Sequence, residues 1–255
     1  MIKLIIFDAE HVLYNAEDQI RYFKMKLYEF VKNNSNFNSE ELSSVWKDIG
    51  ESVMIGKITM IQAHREYMSR IGIRPELIDE YEAFDRESFN YAKLMEKDER
   101  KCLSDLKIKG YKLAVLSDSG HPPEIRWLIL GIIGLDGIFD RAFVSSDIGH
   151  KKPDRETYET VMDAFKVKPS DTVFVGHDLD ELEGAMALGI HVVSYKGDKL
   201  GHEASEPFLS FFVLKRYNIP GSFLFIITIM CTNLLVSIVF TRTPAQTIKI
   251  VSHYY

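Results

Sequence analysis

The chain has 255 residues, enough for one sizeable domain or two modest ones, each with its own core. Its composition, 46% hydrophobic and 27% charged, is that of an ordinary globular protein. The formal net charge of -6 argues against a nucleic-acid-binding protein, which would normally carry a basic face. The two cysteines, Cys102 and Cys231, lack metal-ligand spacing, and an apolar strand pattern begins without a basic leader. We therefore expect a reduced, cytoplasmic setting and no signal peptide.

The chain opens with an apolar run of strand length, Leu4 to Phe7, that stops at Asp8. Such runs are typical of strands inside α/β sheets that are covered by helices on both faces. A carboxylate at the C-terminal end of such a strand lies where open α/β sheets bind their ligands. Glu10 follows two positions later, and in an extended chain its side chain would point the same way as that of Asp8. A shared site and two solvated acids at a strand end are the alternatives from this stretch alone.

Residues 15–95 show helical periodicity. Apolar residues recur at spacings of three and four in segments separated by polar or glycine-containing breaks, and two further helical stretches are predicted at 75–84 and 85–94. The restart after Gly56 is predicted at Thr59. His64, on the apolar face of the helix that follows, is expected to be packed or at the surface rather than catalytic. The segment therefore predicts a compact helical insert of bundle size.

After residue 95 the pattern changes to alternating strands and helices. Apolar runs of strand length lie at 112–116, 142–146, 172–175 and 190–193, with amphipathic helix patterns between them. This alternation predicts a parallel sheet with helices on both faces. The expected fold class is therefore α/β, a doubly wound parallel sheet formed by residues 1–14 and 96–205, with residues 15–95 inserted as a helical domain.

Polar residues stand at the ends of these predicted strands. They are Ser117 and Asp118, Lys152 before Pro153, and Asp178 with Asp180 and Glu181. In a parallel sheet these strand ends lie along one edge, so they would converge on one crevice with Asp8. Carboxylates there suit a hard divalent cation such as Mg²⁺, while a lysine and a hydroxyl suit a phosphoryl group. Asp8 could then attack phosphorus and form an aspartyl-phosphate.

At these residues the sequence closely resembles the haloacid dehalogenase-like hydrolase superfamily. Four segments are similar to the motifs of the family and stand in its order: residues 5–13 around Asp8, 115–118 ending in Ser-Asp, 145–154 with the Lys-Pro pair, and 173–189 with its acidic stretch. The resemblance implies a Rossmann-like core. It also implies that the helical insert is a C1-type cap, which closes over small substrates.

The resemblance implies a role for each matched residue. Asp8 would be the nucleophile and a metal ligand. Glu10 would give its backbone carbonyl to the metal and act through its side chain as general acid/base. Ser117 and Asp118 would bind the phosphoryl group of the substrate. Lys152 would orient Asp8, offset charge and contact the same phosphoryl group.

The metal site and position 10 are where the sequence departs from the family. Asp178 would complete the Mg²⁺ site, with Asp180 and Glu181 as rival ligands, while His177 stands where many members have an aspartate. Glu10 stands where phosphatases of the family carry Asp. Its extra methylene displaces the carboxyl group, and a displacement of ~1 Å can lower a rate on the order of 10²-fold.

The predicted function is that of a Mg²⁺-dependent hydrolase, a phosphatase that acts on a small phosphorylated metabolite through an aspartyl-phosphate. A phosphotransferase such as a sugar phosphomutase is one alternative. A non-catalytic member that binds a ligand or partner is the other, and Glu10 motivates it. No nucleic-acid partner is expected, and the sequence predicts neither the substrate nor the oligomeric state.

Residues 206–255 differ in composition from the rest. After Glu206 there is no acidic residue, and from Tyr217 to Thr241 there is no charged residue. The apolar stretch 219–240 reaches the length of ~20 residues that a membrane-spanning helix needs. Strands, or a tail unrelated to the main domain, are the alternatives. A membrane tether is therefore expected only if this stretch is a helix.

Overall fold

The computed structural model describes residues 1–195, 211–219, 222–231, 234–241 and 247–254. The chain divides into two compact units, Met1–His202 and Glu203–Tyr255, each of which is described by itself.

The first unit begins with a strand, continues into a group of helices and then alternates strands with helices. Its elements are β1 (Leu4–Asp8), β2 (Tyr14–Asn15), α1 (Glu17–Asn34), α2 (Leu42–Met54), α3 (Met60–Arg70), α4 (Ile78–Ser88), β3 (Lys93–Leu94), α5 (Glu99–Ile108), β4 (Lys112–Ser117), α6 (Pro123–Ile132), β5 (Arg141–Val144), α7 (Ser145–Ile148), α8 (Arg155–Phe165), β6 (Thr172–Gly176), α9 (Leu179–Ala187) and β7 (His191–Ser194). Short 3-10 helices lie at Ser39–Glu41, Pro75–Leu77, Phe89–Tyr91 and Pro169–Asp171.

Five parallel strands form the central sheet, in the order β5-β4-β1-β6-β7. The pairing sets Asp8 beside Leu116 of β4 and Phe7 beside Val175 of β6. The carboxyl ends of these three strands therefore meet at one edge. Strand order changes direction between β1 and β6, which is where doubly wound sheets bind their ligands. The predicted fold class is confirmed.

The sheet forms because its strands can bury both faces. Every residue of β1 is buried, as expected for a strand covered by helices on both sides. Leu4, Ile6 and Phe174 share one hydrophobic core with Tyr158 and Val161 of α8. This packing holds β1 and β6 against one helix layer, and it fixes the positions of the polar residues that follow each strand.

Helices α1 to α4 have a hydrophobic core of their own, which includes Phe30, Ile49, Tyr67 and Tyr81. Helix α3 begins as predicted at Thr59, whose side chain and backbone exchange hydrogen bonds with Gln62 in a capping box. Strands β2 and β3 pair antiparallel, so the chain leaves and re-enters the core side by side. This gives the helical insert a two-stranded connection to the sheet.

Three details differ from the sequence-based expectations. The stretches predicted at 75–84 and 85–94 meet in one helix, α4, because its buried face runs from Ile78 through Tyr81 and Phe84 without a break. The rest of the second stretch is not helical as predicted but forms the 3-10 helix Phe89–Tyr91 and strand β3. The strand predicted at 142–146 ends at Val144, and Ser145 begins the short helix α7. His64 is buried, and its Nδ1 is paired with the Glu82 carboxylate, so it is packed.

The second unit contains four antiparallel strands, in the order β11-β10-β9-β8. They are β8 (Phe211–Ile219), β9 (Ser222–Cys231), β10 (Leu234–Thr241) and β11 (Thr247–Tyr254). The stretch 219–240, considered above as a membrane-spanning helix, lies mainly on β9 and β10. Its Ile, Val and Phe residues suit strands. Across the described ranges, no helix is long and apolar enough to cross a membrane.

A close approach between α9 and the loop that carries Lys152 depends on Gly184. A Cβ atom at Gly184 would lie 2.7 Å from Pro153 Cβ and 2.8 Å from the Pro153 carbonyl oxygen. Gly184→Ala should therefore lower the free energy of unfolding by ~1–3 kcal/mol, the usual cost of overpacking. Urea unfolding at pH 7 measures this.

Gly131 in α6 provides the matched control, since a Cβ atom there meets nothing within 4 Å. Gly131→Ala should leave the free energy of unfolding unchanged or raise it by up to ~1 kcal/mol, because alanine favours a helix over glycine. Equal effects of the two substitutions would contradict the account of Gly184.

Candidate functional site

Asp8 lies buried at the carboxyl end of β1, with 5% of its surface exposed. Its Oδ1 accepts hydrogen bonds from Lys152 Nζ at 2.6 Å and from the Ala9 backbone N–H at 2.8 Å. The other oxygen, Oδ2, lies 3.1 Å from His177 Nδ1. One carboxylate oxygen is therefore held by fixed donors, while the second faces the residue that follows β6.

Lys152 lies between two carboxylates. Its Nζ is 2.6 Å from Asp8 Oδ1 and 3.0 Å from Glu181 Oε2, and its side chain is almost fully buried. Its backbone N–H donates to Asp118 Oδ1 at 3.2 Å, and the peptide bond to Pro153 is cis. A buried ammonium group is tolerated only when it is paired, and here three acidic side chains contact this one residue.

The protonation states follow from this arrangement. Burial acts to raise the pKa of Asp8, but Lys152 and the contact with His177 outweigh it and hold the pKa below its usual value. Burial acts to lower the pKa of Lys152, whereas the charges of Asp8 and Glu181 raise it above its usual value. Asp8 is thus an ionised carboxylate held by an ammonium group.

Two neighbouring acids show the opposite shift. Burial raises the pKa of Glu181 to about 7, and the opposing effect of Lys152 does not cancel this. Burial likewise raises the pKa of Asp118, against the effect of the same lysine. Lys152 therefore stabilises the negative charge of Asp8 more than it stabilises the charges of Asp118 and Glu181. Glu181 changes its protonation state near neutral pH.

Glu10 and His11 lie in the turn that follows β1. The turn is closed by a hydrogen bond from the His11 N–H to the Tyr14 carbonyl oxygen at 2.8 Å, and His11 has a left-handed backbone with φ 61°. The Glu10 side chain is 43% exposed, and its Oε1 lies 3.7 Å from His11 Nε2. The His11 ring meets the His177 ring edge-on, with centroids 5.1 Å apart. His11 thus lies between Glu10 and His177.

Ser117 is the last residue of β4 and is 4% exposed. Because Leu116 pairs with Asp8, Ser117 ends its strand at the same sheet edge as the buried carboxylate. The loop that follows is held in place by a hydrogen bond from the Ser119 N–H to Ser145 Oγ at 2.9 Å. The structure therefore brings Ser117 and Asp118 to the edge where Asp8 and Lys152 lie.

The three acids after β6 occupy different environments. Asp178 is exposed, and its Oδ1 caps α9 by accepting a hydrogen bond from the Asp180 N–H at 3.1 Å. Asp180 is exposed as well. Glu181, one turn into the helix, is the acid that reaches Lys152. From the sequence, Glu181 was expected only as a rival metal ligand, and its ion pair with Lys152 was not predicted.

His177 is the site residue to which the sequence analysis assigned no role. Its side chain is 31% exposed, while Nδ1 is buried against Asp8. The contact with the Asp8 carboxylate raises the pKa of His177 above its usual value. The signal in the sequence was its position directly after β6, the strand that pairs with β1.

A divalent cation needs donor atoms that other groups leave available. Asp8 Oδ2 meets this condition, since Lys152 and Ala9 hold the other oxygen. His177 Nδ1 meets it as well, because it is buried and lies 3.1 Å from Asp8 Oδ2 without a well-directed hydrogen bond. Within the residues that the structure describes, no group of three or more His, Cys, Asp or Glu side chains is arranged to bind a metal ion. The donors fit a cation bound by one carboxylate oxygen and one imidazole nitrogen, with other ligands from backbone or water.

These residues together can perform nucleophilic chemistry on an electron-poor centre. An ionised carboxylate with one oxygen turned away from its lysine is a nucleophile. The adjacent ammonium group, and the hydroxyl group at the next strand end, can stabilise negative charge on the group under attack.

Comparison with known proteins identifies a matching family model and several relatives. A family model for haloacid dehalogenase-like hydrolases matches residues 2–189. Glyceraldehyde 3-phosphate phosphatase of Pyrococcus furiosus is 33% identical over 101 residues, which cover 39% of this chain and 41% of that protein. Pyrophosphatase PpaX of Bacillus mycoides is 25% identical over 223 residues, 84% of this chain and 93% of that protein. The match thus spans about two fifths of the first relative and nearly all of the second.

A solved structure agrees with the fold. A haloacid dehalogenase family enzyme from Bacteroides thetaiotaomicron, in complex with magnesium and inorganic phosphate, aligns with a TM-score of 0.58. The alignment covers 80% of this chain and 98% of that chain at 18% sequence identity. At this identity the likeness concerns the fold alone.

The shifted pKa of Glu181 makes stability depend on pH. Between its ordinary pKa of 4.5 and about 7, the folded chain holds a proton on Glu181 that the unfolded chain releases. This contribution to the free energy of unfolding therefore decreases as pH rises through that window. Glu181→Gln should remove this pH-dependent contribution. The free energy of unfolding of the variant minus that of the wild type should therefore rise from pH 4.5 to about 7 and then level off.

Urea unfolding of both proteins across this pH range measures the difference. The same experiment on Glu183→Gln, an exposed acid on the same helix, provides the control and should give a constant difference. A constant difference for Glu181→Gln as well would show that Glu181 titrates normally.

Proposed function

The chain belongs to the haloacid dehalogenase-like hydrolase family, and from that premise we propose that it is a hydrolase that releases inorganic phosphate from a small phosphorylated metabolite through an aspartyl-phosphate on Asp8. The observation that carries this proposal is the buried Asp8 carboxylate, which Lys152 and the Ala9 N–H hold in a fixed orientation through Oδ1. The relatives named above, a phosphatase and a pyrophosphatase, both act on phosphoryl groups by name.

In the first step, the Asp8 carboxylate attacks phosphorus, and the bond between phosphorus and the substrate oxygen breaks. Glu10 gives its proton to the departing oxygen. In the second step, Glu10 takes a proton from water, whose oxygen attacks phosphorus and breaks its bond to Asp8. Inorganic phosphate leaves and the carboxylate is restored. Lys152 keeps Asp8 ionised and oriented throughout, and Ser117 binds an oxygen of the transferred group.

A divalent cation, Mg²⁺ by family resemblance, would neutralise charge on the phosphoryl oxygens when bound. Asp8 and the Glu10 carbonyl are proposed ligands, and the third ligand comes from the residues after β6, where Asp178 and His177 compete. The magnesium and phosphate complex of the Bacteroides thetaiotaomicron enzyme supports a cation in this role. The helical insert, connected through β2 and β3, is proposed to act as the cap that encloses the rest of the substrate.

A second candidate is a member that binds a phosphorylated ligand without turning it over. The position of Glu10 favours it, because the carboxylate is half exposed beside His11 rather than buried beside Asp8. A family phosphotransferase is the remaining alternative. It would move the phosphoryl group to a second hydroxyl group and release no inorganic phosphate.

Turnover of p-nitrophenyl phosphate tests the role of Asp8. Wild-type protein with Mg²⁺ should release inorganic phosphate, and Asp8→Asn should lower the rate at least ~100-fold because the amide cannot act as the nucleophile. Asp163→Asn, an exposed acid near the C-terminal end of α8, is the control and should retain the wild-type rate. If Asp8→Asn releases phosphate as fast as wild type, Asp8 is not the nucleophile.

Position 10 provides a separate test. Glu10→Asp should raise the rate of phosphate release by ~10-fold or more, because a carboxyl group nearer the expected acid/base position transfers protons more efficiently. Glu10→Gln should lower the rate, because an amide transfers no proton. Steady-state rates of the two variants on p-nitrophenyl phosphate are compared with wild type. Equal rates for all three would exclude an acid/base role for this side chain.

A further inference from the structure

His177 presents an unused donor atom to the nucleophile. Its Nδ1 is buried and lies 3.1 Å from Asp8 Oδ2, outside the geometry of a well-directed hydrogen bond. A buried ring nitrogen that makes no well-directed hydrogen bond is costly, so such an atom usually points to a ligand that the site is built to receive.

The separation of these two atoms suits a shared metal ion. Bonds from divalent cations to nitrogen or oxygen are ~2.0–2.2 Å long, so two ligands at right angles on a six-coordinate ion lie ~3 Å apart. The 3.1 Å between Asp8 Oδ2 and His177 Nδ1 matches this spacing. Both atoms could therefore bind one ion with little movement.

The surrounding structure keeps both donors in place. Lys152 Nζ and the Ala9 N–H hold the other oxygen of Asp8, so Oδ2 has a fixed direction. The His177 ring packs edge-on against His11. The residue that follows, Asp178, caps α9 and so anchors the chain directly after His177. Neither donor depends on a flexible surface side chain.

We propose that His177 is a ligand of the divalent cation, through Nδ1, and that the site consequently prefers a borderline transition metal such as Co²⁺ to Mg²⁺. This inference rests on the proposed function, since the same cation would serve the phosphoryl group. The chemical reason is the nitrogen ligand. Mg²⁺ takes oxygen ligands and retains water, whereas imidazole suits the later first-row metals.

Metal binding by the full chain, stripped of metal and without substrate, tests this proposal. Calorimetric titration with CoCl₂ and with MgCl₂ should show Co²⁺ binding at least ~10-fold tighter than Mg²⁺. His177→Gln should weaken Co²⁺ binding by ~10–100-fold and change Mg²⁺ binding less. His177→Asp, which supplies an oxygen instead, should move the preference toward Mg²⁺. His191→Gln, at the start of β7 and so at the opposite edge of the sheet, is the matched control and should retain wild-type Co²⁺ affinity.

A spectroscopic readout identifies the ligand directly. Proton NMR of the Co²⁺-loaded wild type and of the His191 variant should show a strongly shifted imidazole N–H resonance, which His177→Gln should lack. Wild-type Co²⁺ affinity in His177→Gln, or the same shifted resonance in that variant, overturns the proposal. Tighter Mg²⁺ than Co²⁺ binding by wild type overturns it too. Absence of phosphate release would count against the proposed function alone, because none of these measurements uses substrate.

Discussion

The contacts of one buried ammonium group connect the parts of the site. Lys152 Nζ lies within 3.0 Å of both Asp8 and Glu181, and its backbone N–H holds Asp118. These acids come from three different segments that follow β1, β4 and β6. The pair between Lys152 and Asp8 would be costly to break in this buried setting, on the order of 3–5 kcal/mol, because the Asp8 charge would be left without its ammonium partner. The lysine therefore holds the nucleophile and ties three strand ends together.

The sheet determines where this lysine can act. The register that sets Asp8 beside Leu116 places the carboxyl ends of β1 and β4 at one level, and buried apolar residues fix that register. The close approach of α9 to Pro153 brings Glu181 to the loop that carries Lys152. The packing of α9 therefore determines one contact of the lysine, since a shift of this helix would move the Glu181 carboxylate away from Lys152.

Much of this was predictable from the sequence. Apolar runs that end in polar residues predicted the parallel sheet, and the resemblance to known motifs predicted that Asp8 and Lys152 would meet, as they do at 2.6 Å. Local periodicity could not predict which acid of the last motif turns inward. That depends on helix direction after β6, where Asp178 becomes the cap and Glu181 faces the lysine. The contact of His177 with Asp8 is a long-range contact across two paired strands, and spacing along the chain does not encode it.

Chemical trapping of the intermediate tests the central claim most directly. Wild-type protein is mixed with p-nitrophenyl phosphate and Mg²⁺, quenched with acid and treated with sodium borohydride, which reduces an acyl phosphate to an alcohol. Peptide mass spectrometry should then find homoserine at position 8, and only in samples that contained substrate. Turnover that leaves position 8 as aspartate, with the reduced residue elsewhere or absent, would contradict the account.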